Sequence, residues 1–138
     1  MTVDSVDHLG VLVGDVDEAA TVYEALGLSV GAVERVPDFG VRIAFIRAGE
    51  SLVELVEPEP GTDLVADLPD RWGATLHHVA FRVADVESQL DALREAGVPL
   101  ADEEPRPGAG DASVAFLDRR AGNGVRIELV ERHSPVSL

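Results

Sequence analysis

Residues 7–30, DHLGVLVGDVDEAATVYEALGLSV, recur without a gap as residues 77–100, HHVAFRVADVESQLDALREAGVPL. His8, Val13, Asp15, Val16 and Gly27 are answered by His78, Val83, Asp85, Val86 and Gly97. Later in each copy, Val53-Glu54-Leu55-Val56-Glu57 is answered by Ile127-Glu128-Leu129-Val130-Glu131. The chain is therefore one unit written twice. Each copy carries a His near its start and a Glu near its end. Two copies related by a pseudo-twofold bring His8, Glu54, His78 and Glu128 to the axis, a set of donors suited to a divalent metal of moderate hardness.

Periodicity gives the same order of elements in both copies. Val6 to Val13 alternates as a strand, with His8, Gly10 and Leu12 on one face and Leu9, Val11 and Val13 on the other. Asp15 suits a helix N-cap, Val16, Ala19, Ala20 and Tyr23 form an apolar stripe, and Gly27 ends the helix. Strands are expected at 29–36, 41–48 and 51–57, separated by Pro37-Asp38 and Gly49-Glu50. The second copy predicts a strand at 75–83, a helix at 86–96, and strands at 100–103, 113–118 and 124–131. Residues 63–68 are expected to form a short linker helix, with Trp72 covering the linker.

The expected fold is α+β. Two tandem βαβββ modules, about 6–58 and 75–132, flank a linker at 59–74 within a single domain spanning 1–138, forming a pseudo-twofold, open barrel-like sheet cleft with helices outside. Strand parity sets the four candidate ligands opposite the apolar neighbours that meet the helices, so they face the cleft. A lone His beginning a buried strand is more often structural than a ligand. Two at equivalent positions, each with a matched Glu, reverse that balance. His77 has the other parity and is expected on the helix side or at an edge. Glu57, Glu131 and His133 are expected in solvent, and Arg82 and Arg126 beside acidic neighbours.

Composition narrows the function classes. The chain has 138 residues, 46% of them hydrophobic and only 4% aromatic, enough for one aliphatic core. Cysteine is absent, which removes disulfides, thiolate ligands and a Cys nucleophile together. No apolar run approaches the roughly 18 residues of a membrane span, and the expected location is cytoplasmic. Acidic residues number 26 against 11 basic ones, all Arg, for a formal charge of -15. Nucleic acid is not an expected partner, since phosphate binding needs a basic patch.

Such an acidic surface suits a high-salt, halophilic interior, where the Debye length falls to about 3 Å at 1 M and self-repulsion is screened. The melting temperature should then rise steeply from dilute buffer to molar potassium chloride. A flat response would assign the composition to codon usage instead.

DHLGV (7–11), VELVEP (53–58), LHHVAF (76–81), EEPRPGAG (103–110) and GNGVRIELVE (122–131) together resemble the vicinal oxygen chelate superfamily, and within it the methylmalonyl-CoA epimerase family, over about residues 6 to 132. The resemblance implies a metal-dependent epimerase whose acyl-CoA substrate is methylmalonyl-CoA, acting by C2 proton abstraction through a metal-stabilised enolate. It puts His8, Glu54, His78 and Glu128 at the metal-ligand positions, with Glu54 and Glu128 also candidates for proton transfer. It further implies a divalent cobalt, manganese, nickel or zinc ion and a homodimer. A glyoxalase I-like lyase on a thiol adduct such as lactoylglutathione, and a non-catalytic small-molecule binding protein, are the alternatives. The chain departs from the family where members commonly have a His-Pro-Lys-like segment, here Asp118-Arg119-Arg120, and where some branches have a Glu, here Ile43. Arg106, Arg119 and Arg120 are the expected replacements for holding CoA phosphates.

Overall fold

The computed structural model describes residues 3–68 and 74–136. Trp72, expected to cover the linker, lies outside them. Their order is β1 (Val3–Val13), α1 (Val16–Ala25), β2 (Val30–Val36), β3 (Val41–Ala48), β4 (Ser51–Pro58), β5 (Ala74–Val83), α2 (Val86–Glu95), β6 (Arg106–Gly108), β7 (Ala112–Phe116) and β8 (Ile127–Arg132). Each copy is thus βαβββ, and the fold is mixed α+β. Short 3-10 turns occupy Asp63–Asp67 and Arg119–Gly122. Among the described residues, no helix is long and apolar enough to cross a membrane.

By contacts the chain divides into two compact units. One comprises Leu9–His77; the other comprises the residues up to His8 together with His78–Val136. In the first unit the strand order is β2-β3-β4-β1, and β3 and β4 form an antiparallel hairpin in continuous register from Val41↔Pro58 to Ala48↔Ser51. Helix α1 starts because Asp15 accepts a hydrogen bond from the Glu18 N–H at 2.9 Å. It stops where Gly27 takes φ +88°, a left-handed conformation that suits glycine. Val13, Val16, Ala20, Ala44, Ile46 and Leu55 join helix to sheet in one aliphatic cluster.

The second unit repeats the construction. Its order is β5-β8-β7-β6, with β5 and β8 parallel and β7 and β8 antiparallel. Asp85 caps α2 by accepting from the Ser88 N–H at 3.0 Å. Val83, Val86, Leu90, Ala115, Leu117 and Leu129 form its core cluster. The cluster residues fix which sheet face the helix covers: Leu129 meets α2, so Glu128 points to the opposite face, and Leu55 sets Glu54 likewise in the first unit.

Four expectations are corrected. Leu9 is exposed rather than packed under the helix, and only Val11 and Val13 of its face join the cluster. The sixth strand is at Arg106–Gly108, not 100–103. Leu100 makes a single bridge to Leu117, because the Asp102 carboxylate takes the Phe116 N–H at 2.8 Å and occupies the place of a ladder carbonyl. The last strand begins at Ile127 rather than residue 124, since Asn123 (φ 54°) and Gly124 (φ 100°) are both left-handed and break the extended chain.

The fourth correction concerns Glu57 and Glu131, which are not solvated strand ends. Glu57 accepts the Val16 N–H at 2.9 Å, and Glu131 accepts the Val86 N–H at 2.9 Å. Each carboxylate sits at the positive end of its unit's helix and satisfies a donor that has no partner within the helix. Glu57→Ala or Glu131→Ala should therefore lower stability by about 1 kcal/mol each. Chemical denaturation of the two single variants and the double variant checks this, with additive losses expected.

Candidate functional site

In the second unit, His8 on β1, His78 on β5 and Glu128 on β8 bring their donor atoms to one point. His8 Nε2 lies 3.0 Å from His78 Nε2 and 3.0 Å from Glu128 Oε1, and His78 Nε2 lies 3.3 Å from the same oxygen. All three residues are buried. The imidazoles meet edge to face, with centroids 5.1 Å apart and planes at 85°. Phe116, the register partner of Glu128, closes on His78 at 5.2 Å, also edge to face.

The donor set fits a divalent cation. Glu128 Oε1 is buried and accepts no hydrogen bond from any described residue, although two imidazole nitrogens lie within 3.3 Å of it. Three atoms able to offer lone pairs are thus crowded together, an arrangement that a cation among them relieves. Burial pushes the Glu128 carboxyl up, but the adjoining His78 and His8 rings more than offset this and hold it below the ordinary carboxylate range. It is therefore available in its anionic, ligating form.

Glu54 lies in the other unit, on β4, buried and in register with Phe45. Phe45 and Phe116 occupy matching places opposite the two glutamates, so the repeat extends to their aromatic neighbours. Ile43 is buried on β3, in register with Val56.

The sequence reading missed Asp7 and Arg132. Asp7 is completely buried, and its Oδ2 lies 2.6 Å from His8 Nδ1. Arg82 donates to Asp7 Oδ1 through Nε at 2.9 Å. Arg132 donates through Nε to Oδ1 at 3.1 Å and through Nη2 to Oδ2 at 2.6 Å, while its Nη1 reaches the Ala109 carbonyl at 2.6 Å. Desolvation works to raise the Asp7 pKa, but hydrogen bonds from His8 and Arg132 hold it well below the usual carboxylate range. A buried carboxylate with this many donors is a structural anion, and its location beside His8 is the signal that identifies it. Arg82 pairs with an acidic residue as expected from its position.

The remaining candidates lie in other settings. His133 is partly exposed and shares a 2.8 Å hydrogen bond with Ser113. His77 is half-buried on β5. The arginines expected near CoA phosphates have internal partners: Arg106 meets Asp102 at 3.4 Å, Arg119 donates to the Gly124 carbonyl at 3.2 Å, and Arg120 donates to Asp118 at 2.9 Å.

Residues 7–116 match the family model for the glyoxalase/bleomycin resistance protein/dioxygenase superfamily. The uncharacterized protein YqjC of Bacillus subtilis is 39% identical over 131 residues, covering 91% of this chain and 90% of that protein. The ethylmalonyl-CoA/methylmalonyl-CoA epimerase of Cereibacter sphaeroides is 34% identical, with 89% of this chain and 94% of that protein covered. Among solved structures, a Streptomyces coelicolor methylmalonyl-CoA epimerase variant in complex with 2-nitronate-propionyl-CoA superposes with a TM-score of 0.88 at 30% identity, covering 96% of this chain and 100% of that one.

Proposed function

Because the chain belongs to the glyoxalase/bleomycin resistance protein/dioxygenase superfamily, we propose that it is a metal-dependent epimerase of methylmalonyl-CoA or a close 2-alkylmalonyl-CoA. The observation that carries this reading is the buried His8, His78 and Glu128 set, with its unsatisfied carboxylate oxygen, in a chain that parallels acyl-CoA epimerases along nearly their full length. His8, His78 and Glu128 are the ligands. Glu54, the counterpart of Glu128 in the repeat, is the proposed fourth.

Epimerisation removes the proton at C2 and returns it to the other face. A divalent ion held by these residues would supply Lewis-acid stabilisation of the negative charge that this step develops. The protein contributes the rest. Two imidazoles and a carboxylate are prearranged in a dry setting, and Phe116 fixes the edge of His78. Glu54 and Glu128, related by the repeat, are the proposed carboxylates for taking and returning the proton. The donor set of nitrogen and carboxylate oxygen accommodates cobalt, manganese, nickel or zinc.

Deuterium exchange tests this reading. Metal-loaded protein in deuterated buffer should exchange the C2 hydrogen of methylmalonyl-CoA and interconvert its epimers. Succinyl-CoA, whose carboxylate is one carbon farther from the thioester, should be inert. Glu128→Gln should suppress exchange more than it weakens metal binding if that carboxylate also carries the proton. Absence of exchange, together with conversion of a hemithioacetal to a thioester, would replace the epimerase with a glyoxalase-type lyase.

A further inference from the structure

Asn123 is the only asparagine in the chain, and a glycine follows it. An Asn-Gly pair is open to spontaneous deamidation, because the glycine has no side chain to shield its backbone nitrogen. In that reaction the Gly124 amide gives its proton to a base, and its nitrogen attacks Cγ of Asn123. The bond from Cγ to the side-chain nitrogen breaks, and ammonia leaves after taking a proton from water. The succinimide that remains adds one water at either carbonyl. One opening gives aspartate; the other gives isoaspartate, in which the chain runs through the former side chain.

The fold sets this chemistry up and holds it back. Asn123 is exposed and left-handed, with φ 54° and ψ 41°. At that ψ an L residue holds the following nitrogen nearly anti to its own Cβ across the Cα–C bond. The Gly124 nitrogen thus faces away from the carbon it would attack. Its N–H also donates to the Arg119 carbonyl at 2.9 Å. The Arg119 side chain closes the loop from the other end, reaching the Gly124 carbonyl through Nε at 3.3 Å and Nη2 at 3.2 Å. Ring closure must turn ψ of Asn123 through nearly half a circle, which these bonds prevent until the turn at Arg119–Gly122 opens.

We propose that Asn123 is a deamidation site kept shut by Arg119. One opening then governs two chemistries. The Gly124 amide must leave the Arg119 carbonyl to exchange its hydrogen with solvent, and it must leave it to lose that hydrogen before attacking Cγ. Rotation about ψ is a further demand of the attack alone. Folding should therefore slow deamidation by at least the factor by which it slows hydrogen exchange at Gly124. The isoaspartyl product inserts a methylene into the chain just ahead of β8, where the Ile127 carbonyl accepts the Leu117 N–H at 2.9 Å, and it should lower the melting temperature.

Mass spectrometry and hydrogen exchange test this on the full chain. Protein is held at mildly alkaline pH, folded or in concentrated guanidinium chloride, and trypsin then releases residues 121–126 between Arg120 and Arg126. In denaturant, Asn123 should convert to aspartate and isoaspartate. In the folded protein, conversion should be slower by at least the protection that NMR reads at the Gly124 amide. Arg119→Ala removes the two side-chain bonds and should speed both exchange and conversion in the folded protein by about fivefold. Conversion as fast in the folded chain as in denaturant would overturn the proposal, as would no conversion in denaturant. Faster exchange at Gly124 in Arg119→Ala with conversion unchanged would do the same. Should that variant not fold, the folded and denatured wild type still decide.

Discussion

Replacing both His78 and Glu128 with alanine should abolish stoichiometric binding of a divalent ion. These residues supply two of the three donors that converge in the second unit, within 3.3 Å of each other. What remains of the proposed set is His8 and Glu54, and such a pair is too weak a bidentate site to retain a divalent ion against water. The single substitutions should each leave weaker, exchangeable binding, because every lost donor opens a coordination position to solvent. Metal content after exhaustive dialysis, with calorimetric titration of cobalt and zinc, measures the effect. Retention of one ion per chain by the double variant would remove His78 and Glu128 from the site. Circular dichroism serves as the folding control, because the double substitution truncates two buried side chains and leaves His8 Nε2 without either neighbour.

Arg132→Met should be among the most destabilising single changes in the chain. The Arg132 side chain is only 8% exposed and Asp7 is fully buried, so the substitution strips a desolvated carboxylate of its two-pronged partner. Breaking a buried pair from one side costs on the order of 3 to 5 kcal/mol. Arg82 still reaches Asp7, which places the expected loss near about 3 kcal/mol, or roughly 10 °C in melting temperature for a chain of this size. Arg82→Met should cost less, because that side chain is 37% exposed and solvent already screens its charge. Thermal denaturation of both variants makes the comparison. Equal losses would show that burial does not separate the two arginines.

Much of the architecture was legible because the repeat tests each assignment twice. Asp15 and Asp85 both read as helix caps, and both accept the N–H three residues on. The parity of Glu128 against Ile127 and Leu129 was equally readable, since the residues that meet a helix must be apolar. Reading by pairs also explains what escaped. Asp7 has no partner in the second copy, so a search for matched residues passes over it, and Arg132 acquires meaning only when β8 is folded beside Asp7. The sixth strand was misplaced because Leu100 is apolar for contact with the α2 cluster, a demand that resembles strand periodicity over a few residues. Glu57 and Glu131 were misjudged for another reason. Their partners lie far away in sequence, and a glutamate at the end of a strand looks the same whether it meets water or a helix terminus.

The placement of those two glutamates bears on the order in which the chain folds. Glu57 is 41 residues beyond Val16, and Glu131 is 45 beyond Val86. Neither helix can have its first turn completed by local sequence alone, since the carboxylate arrives only when the last strand of the same copy has docked. Each α-helix, 10 residues long, is below the length at which an isolated helix holds its shape in water. Helix and final strand must consequently consolidate together, late and cooperatively. In the folding transition state, the ends of α1 and α2 should still be frayed while the β3–β4 hairpin, built from near neighbours, is already formed.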